Sequence, residues 1–509
     1  MNSPDQAPRI ALGPLLLTGL VIAAALTRLL PQPPNFSPVI AIALFAGAYF
    51  ANRRWAVLVP LAAMLVSDLA LAATHGGIYL QHLASPVALS VYACILLSTV
   101  MGFGLRGRVS GGRVLAQGKE EIKFATLMDF TKVYTFVSVE YNQAQRDYIS
   151  MVNATGGIDG HPVKLIVHDH ASEPQRGIAL YNEAREEGAV LVDFLSTPVS
   201  NAMVPRVLQD HIPMLTIAHG RGDAIDGSTF PYVFPGMANY WSQSALIIKH
   251  IRDHDGGLDG KKIAHVHIDS GFGREPIPVF KALAEREGFE YKNFPYPSPG
   301  TEQSSVWSSV RRFRPDKVII WGAGPGQAVS VRGAISNGIP VENVYSVIWM
   351  LETDAHSIGE AEAKGLKRFT AVNNGTDLPV IQRIMEKVID AGNGSGEKSK
   401  VGTTNYNIGV AGMAIAVEGA RLALEASDGP LTGEKLKAGL EQIKDFDAEG
   451  LMPPITLTAH DHQGGGWGRI SEWNGSEWEP ISDWDHAYQE DVIWPLAEES
   501  AAKFREENK

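Results

Sequence analysis

The sequence predicts an α/β fold, two lobes built on parallel sheets and preceded by an α-helical membrane module, and three observations carry that prediction. Charge divides unevenly along the 509 residues: residues 1–116 hold seven Arg, no Lys and two acids, Asp5 and Asp68, a net of +5, whereas the remainder holds 37 Lys and Arg against 54 Asp and Glu, a net of -17. Four long apolar runs lie in the first part. From Glu121 onward, short β-branched runs alternate with amphipathic helical stretches, which marks βαβ units and a parallel sheet. The averages, 45% hydrophobic and 20% charged with a net charge of -12, describe neither part.

The apolar runs are 10–27, 39–51, 55–73 and 84–105. A helix crosses a bilayer with about 20 apolar residues, so four spans are expected, the short second run needing residues 36–38 or a neighbouring helix to reach across. Asp68 sits in the third run. An acid at membrane depth is held by a partner or a polar cavity, but its closeness to the end of the run also suits an acid at the interface. A secretory signal would be one short apolar run before a cleavage site, a poor description of four. Cys94, the only cysteine, lies in the fourth run, so the second part can hold neither a disulfide framework nor a cysteine zinc site. Its net negative charge also argues against nucleic acid, whose phosphates require clustered Lys and Arg.

In the second part the expected strands are 122–128, 163–168, 189–195, 214–217, 262–268, 317–321, 344–349 and 369–372, with helices at 139–155, 176–187, 240–254, 275–287 and 303–313. Eight strands exceed a typical single sheet. Two lobes are therefore expected, with strand ends facing a shared cleft, where parallel sheets bind ligands. The residues at those ends are the candidate site. Strand 189–195 runs into Ser196, Thr197 and Pro198 ahead of a helix, whose positive end can hold an anionic or carbonyl group. Strand 214–217 runs into Ala218, His219 and Arg221, strand 262–268 into Asp269 to Arg274 with Phe272, and strand 317–321 into Gly322, Ala323 and Gly324. Strand 344–349 ends on Trp349, near Glu352. Small residues, hydroxyls, an aromatic ring and a carboxylate converging on one face describe a small-molecule site; taken singly, each also fits an ordinary turn closing a βα unit.

Two resemblances follow from particular segments. The run LLPQPPNFSPVIAIALFAGAYF, followed by Arg53-Arg54, VLVPLAAMLVSDLAL and VYACILL, resembles a family of small uncharacterised bacterial integral membrane proteins over residues 12–108, and departs from it after Leu105, where members normally continue with further spans. The second is more extensive. The segment NxxGGIxGxPVxLxxxD at Asn153 to Asp169, DxxFGR at Asp269 to Arg274, and the order of VDFLSTPVS, IPMLTIAHG and FRPDKVIIWGAGPGQ resemble the solute-binding proteins of branched-chain amino acid type ABC transporters, the leucine-binding or periplasmic binding protein type I fold, over residues 121–480. That resemblance implies two Rossmann-like lobes joined by crossing segments, closure on a ligand, and an ABC permease as partner, with no cofactor and no enzymatic activity. It implies ligand-binding roles for Ser196, Thr197, Ala218, His219, Phe272 and Gly324, and places Glu352 near the acid that can meet an ammonium group. His219 stands where Ser, Thr or Ala is more usual, and Arg221 with Trp241 and Trp349 points to a ligand larger or more acidic than leucine, within an amino acid, amide or aromatic acid class.

Other motifs carry less. His265 and His267 alternate along a strand and share a face, yet neither they nor His168-Asp169-His170 nor His460-Asp461-His462 has the spacing of a three- or four-ligand metal site. Gly322 to Gly326 fails the dinucleotide spacing at Gln327, GNGSGEKS at 392–399 misses a phosphate loop, and there is no G-x-S-x-G for a serine hydrolase. Trp467, Trp473, Trp478 and Trp484 read as late strands packing on a lobe, and 485–509 as a charged, solvated helix.

The expected organisation is a membrane module at 1–108, a linker at 109–120, a two-lobed binding domain at 121–480 and a helical extension at 481–509. Its topology poses a conflict. With four spans, Arg9, Arg53, Arg54, Arg106, Arg108 and Arg113 fall on one side and Arg28 on the other, which puts the second part in the cytoplasm by the positive-inside rule. The binding resemblance implies the opposite, a periplasmic or extracytoplasmic domain on a multi-pass bacterial membrane protein. Cleavage after Ala116, a re-entrant second run, or a fusion of two unrelated frames would each reconcile them. A membrane-tethered solute-binding protein for ABC-type uptake is the leading expectation; a ligand sensor on the same lobes is the alternative, and an enzyme using His219, Arg221 and Glu352 a third.

Overall fold

The computed structural model describes residues 53–75, 85–104 and 119–508. The chain divides into two units, Met1–Gln117 and Gly118–Lys509.

In the first unit, α1 (Arg53–His75) and α2 (Pro86–Gly104) coincide with the third and fourth apolar runs; the first two runs lie outside the described residues. Tyr92 donates to the Asp68 carboxylate at 2.8 Å, so the acid has a partner on the other helix. The hydroxyls of Ser67 and Thr99 donate back to the carbonyls of Met64 and Ile95, the usual way a helix absorbs such groups away from water. Leu58, Val66 and Leu97 stay more than half exposed.

The second unit begins with β1 (Ile122–Met128), α3 (Thr135–Ala154), β2 (Val163–Asp169), α4 (Pro174–Glu186), β3 (Leu191–Asp193), α5 (Thr197–Asp210), β4 (Met214–Leu215) and β5 (Val233–Phe234). The chain then continues through α6 (Tyr240–His254), β6 (Lys262–Ile268), α7 (Gly271–Arg274), α8 (Ile277–Glu287), β7 (Glu290–Tyr296), α9 (Ser304–Phe313), β8 (Lys317–Trp321), α10 (Pro325–Ser336), β9 (Val344–Ser346), α11 (Glu352–Ile358) and β10 (Lys367–Thr370). It ends with α12 (Pro379–Ile384), α13 (Thr404–Ala426), α14 (Gly433–Leu440), β11 (Arg469–Trp473), β12 (Trp478–Pro480) and α15 (Trp494–Glu507).

Two sheets result. Lobe 1 carries the order β2-β1-β3-β4-β5, all parallel, and lobe 2 the order β12-β11-β10-β9-β8-β6-β7, parallel except for β11 and β12. The chain passes from lobe 1 to lobe 2 between β5 and α6, returns after β10 so that α13 packs on α3, and crosses again before β11. Helix starts follow local chemistry: Asn239 accepts the amides of Trp241 and Ser242 at the start of α6, Thr403 accepts that of Tyr406 at the start of α13, and Pro opens α4, α5, α10 and α12 where no amide is needed.

Several expectations change. Strand 189–195 contracts to β3 because Leu195 turns into the left-handed region at φ 43. Strands β5 and β7 were not anticipated from the sequence, while the late strands expected around the tryptophans are β11 and β12 at the edge of the lobe 2 sheet. The charged C-terminal helix is solvated on one side only: on α15, Ala497 and Ala501 are buried, Phe504 packs 4.8 Å from Phe230, and Ser500 donates to Asp223 at 2.7 Å, tying it to lobe 1.

Among the described residues, two helical stretches are long and apolar enough to cross a membrane, Ala56–Ala73 within α1 and Thr404–Ala426, while α2 holds a shorter apolar stretch, Ser90–Val100. The stretch in α13 is 72% buried inside the second unit and is a core helix there.

Candidate functional site

The C-terminal ends of the parallel strands of both lobes converge on one narrow cavity, whose space open to the centre of a water-sized sphere is about 20 Å³, room for about one water. Lobe 1 supplies Tyr134, Phe136 and Val137 at the start of α3, Leu195 and Thr197 after β3, and His219 after β4. Lobe 2 supplies Tyr240 at the start of α6, Phe272 in α7, Ala323 after β8 and Trp349 after β9. Five aromatic rings and a histidine thus enclose the space, and none of these residues is Asp, Glu, Lys or Arg.

The lobes touch across it. Trp349 Nε1 donates to the Tyr240 hydroxyl at 2.9 Å, and that hydroxyl is also hydrogen-bonded to Thr197 on the opposite lobe. The hydroxyl of Tyr134 meets Ser270 of lobe 2, and burial raises it to about 12. A Cβ at Gly324 would stand 3.7 Å from the Phe136 ring, so the first turn of α10 lies against lobe 1. The arrangement is closed.

His219 is held neutral. Its Nδ1 faces the Ile217 carbonyl at 3.1 Å, which assigns the proton there and leaves Nε2 to accept from Ser200 at 3.1 Å. Burial pushes its pKa down to about 4. The Thr197 hydroxyl accepts the Gly220 amide at 3.4 Å, and Ser196, the N-cap of α5, has a buried hydroxyl with no partner. The first amides of a helix have no intrahelical acceptor, so the start of α5 offers the cavity a polar, electropositive end.

The loop carrying these groups is fixed from below. Asp193 accepts the Leu195 amide at 3.1 Å, the Gln145 amide at 2.9 Å and the Tyr141 hydroxyl at 3.1 Å. Burial raises its pKa to about 7 while those three bonds oppose the shift.

Of the candidate residues, the structure brings Thr197, His219, Phe272 and Trp349 together on the cavity. Ser196 and Ala218 lie in the loops beside it, Ala218 using its carbonyl to accept from Gln243 at 3.1 Å. Gly324 forms the N-cap of α10 at φ 53. Arg221 and Glu352 are engaged elsewhere. Arg221 pairs with Asp223 at 2.5 Å and lies over the rings of Phe230 and Phe504, 4.5 and 4.7 Å from their centroids. Glu352 accepts from Thr404 at 2.6 Å and stands 3.6 Å from the buried guanidinium of Arg368, so the chain supplies its own cation to that acid. Trp241 is also away from the cavity lining, donating to the Glu275 carbonyl at 2.9 Å. The sequence reasoning missed Tyr134, Phe136 and Tyr240. Strand-end logic applied to β1 would have reached the first two, and Tyr240 is the first residue of a correctly bounded helix.

His265 and His267 are buried and stacked with centroids 4.6 Å apart, and no group of three metal-ligating side chains forms among the described residues.

The chain belongs to the periplasmic binding protein family, whose model matches residues 121–477. A second model, a family of unknown function (DUF6580), matches residues 9–150 and so runs over the junction into β1 and α3. A crystal structure described as an ABC transporter permease from the Pseudomonas fluorescens group is 32% identical, with a TM-score of 0.70 over 76% of this chain and 97% of that one. A branched-chain amino acid ABC transporter from Thermus thermophilus with bound valine shares the fold at 18% identity, with a TM-score of 0.66 over 74% of this chain and 99% of that one. A Leu/Ile/Val-binding protein homolog 3 from Brucella melitensis is 22% identical over 251 residues, 48% of this chain; the chain spans 66% of that relative's length.

Proposed function

We propose that the interlobe cavity binds a small monocarboxylate with an aromatic or branched apolar body, for ABC-type uptake. The observation that carries this reading is the chemistry of the lining: aromatic rings, a neutral histidine and a helix N-terminus, with no acid to pair with an ammonium group. Apolar burial against the rings supplies most of the affinity, at about 25 cal/mol per Å². The start of α5, with the free hydroxyl of Ser196, receives the carboxylate. An α-amino acid would bring a charged ammonium into the same space with no counter-charge, a costly burial.

In this reading Ser196, Thr197, Ala218, His219, Phe272, Gly324 and Trp349 form or frame the site, and the solute stabilises the closed lobes through its differential affinity for them. The first unit tethers the domain to the bacterial membrane through α1 and neighbouring apolar runs, the domain is extracytoplasmic, and an ABC permease receives the solute. The apolarity of α1, a helix with an uncharged 18-residue window apart from Asp68, supports the tether. The test is a thermal melt of the full chain in detergent with benzoate and with valine. Benzoate raises the melting temperature in proportion to the logarithm of its concentration and valine leaves it unchanged; a shift with valine and none with benzoate overturns the ligand class.

A further inference from the structure

We infer that Glu275 is a positioning residue that latches the two lobes in the closed arrangement by accepting the Gly222 amide across their interface. The inference rests on the reading that the lobes close on a solute. Glu275 belongs to lobe 2, between α7 and α8, and its Oε1 lies 2.6 Å from the Gly222 nitrogen in the 222–225 turn of lobe 1.

Both partners are held in place. The Gly222 carbonyl accepts from Asn239 at 2.8 Å, and a Cβ at Gly222 would fall 2.1 Å from the Trp241 ring, so only glycine fits there. The Trp241 indole in turn donates to the Glu275 carbonyl at 2.9 Å. Glu275, Trp241 and Gly222 therefore interlock at the start of α6, immediately after the chain crosses between lobes.

The charged neighbours are accounted for on each side. Arg221 and Asp223 of the turn pair with each other, and Asp223 also accepts from Ser500 on α15. Arg274 pairs with Asp269 at 3.3 Å, and Tyr240 is the titratable group facing Glu275 from α6. Burial lifts the Glu275 carboxyl to about 7, the Gly222 amide and Arg221 pulling down and Asp223 adding to the rise. With the lobes apart the group returns to water and toward its ordinary 4.5. Closure therefore takes up a proton below about pH 7, and the closed, solute-holding form gains as pH falls. Asp193 and Asp354 are also lifted to about 7, but their hydrogen-bond partners, Tyr141, Gln145 and Leu195 for one and Gln327 and Leu351 for the other, lie in their own lobes, so lobe motion does not change their state.

Two measurements on the full chain in detergent test this. The first is calorimetric titration with benzoate between pH about 7.5 and about 6, across which the ratio of wild-type to Glu275→Gln affinity rises roughly eightfold, a ratio in which the titration of His219 on the cavity wall cancels. Glu275→Gln keeps an amide oxygen that accepts from Gly222, and Glu275→Ala binds about tenfold more weakly than wild type. A ratio that does not change with pH, or wild-type affinity in Glu275→Ala, overturns the latch. The second needs no solute: hydrogen exchange in the peptide containing Gly222, about tenfold faster in Glu275→Ala and unchanged in Glu275→Gln. Equal exchange in all three proteins overturns the latch, whereas faster exchange in Glu275→Ala beside an absence of benzoate binding retains it and overturns only the proposed solute class.

Discussion

His219 shows what single residues contribute to this site. With Nδ1 committed to the Ile217 carbonyl and Nε2 to Ser200, it presents a ring rather than a charge to the cavity. Its pKa lies below the unfolded value, about 4 against 6.5, so the unfolded chain takes the proton first. The stability of the neutral imidazole is complete above about pH 6.5 and is lost as pH falls toward 4, by roughly 3 kcal/mol at most. Urea unfolding at pH about 7 and about 4.5 checks this: His219→Gln loses less stability over that interval than wild type, and parallel losses would show that His219 does not titrate on unfolding. Thr197, His219, Phe272 and Trp349 were legible because a parallel sheet delivers the residues after its strands to one edge. The commitments of Arg221 and Glu352 were not legible: Asp223 lies two residues from Arg221, but the other partners of both residues come from elsewhere in the chain. Arg221 is claimed by Phe230 and Phe504, and Glu352 by Arg368 and Thr404, choices that neither strand ends nor local spacing encode.

Elements divide in the same way. Strands β1, β6 and β8 match the expected bounds because each is a short apolar run buried on both faces. Strand β7, with the sequence EYKNFPY, is an edge strand paired only with β6, where charged residues and Pro295 are tolerated and the apolar signal fades. The β11–β12 hairpin did carry a signal, Asn474-Gly475 between Trp473 and Trp478; the Asn474 side chain accepts the amides of Ser476 and Glu477 and closes the turn. Helix α7 is tightly constrained. A Cβ at Gly273 would stand 1.9 Å from the Ile268 carbonyl oxygen, so Gly273→Ala is expected to cost more than about 2 kcal/mol in urea unfolding and to displace Phe272. Unchanged stability and benzoate affinity in that variant would show that the turn has room the geometry denies. On α15, Phe504→Ala removes a ring packed on Phe230 and one face of the Arg221 cation, with an expected loss of about 1–2 kcal/mol; an unchanged unfolding midpoint would show that the helix adds nothing to lobe 1.

At the scale of the molecule, the uneven distribution of charge found along the sequence coincides with a division into two units at Gln117 and Gly118. The binding domain contains its own sheets, crossings and cavity, so residues 118–509 expressed alone are expected to be soluble and to bind benzoate as the full chain does; loss of binding on removing the first unit would make that unit part of the site. The cleft between the lobes is proposed to take an apolar monocarboxylate against its aromatic wall. Calorimetric titration of the full chain with benzoate, beside Trp349→Ala and with valine as competitor, tests this most directly. The expected result is one benzoate site with a negative heat-capacity change, weakened at least about tenfold by Trp349→Ala and untouched by valine. Benzoate affinity unaltered by Trp349→Ala, or displacement by valine, would contradict it.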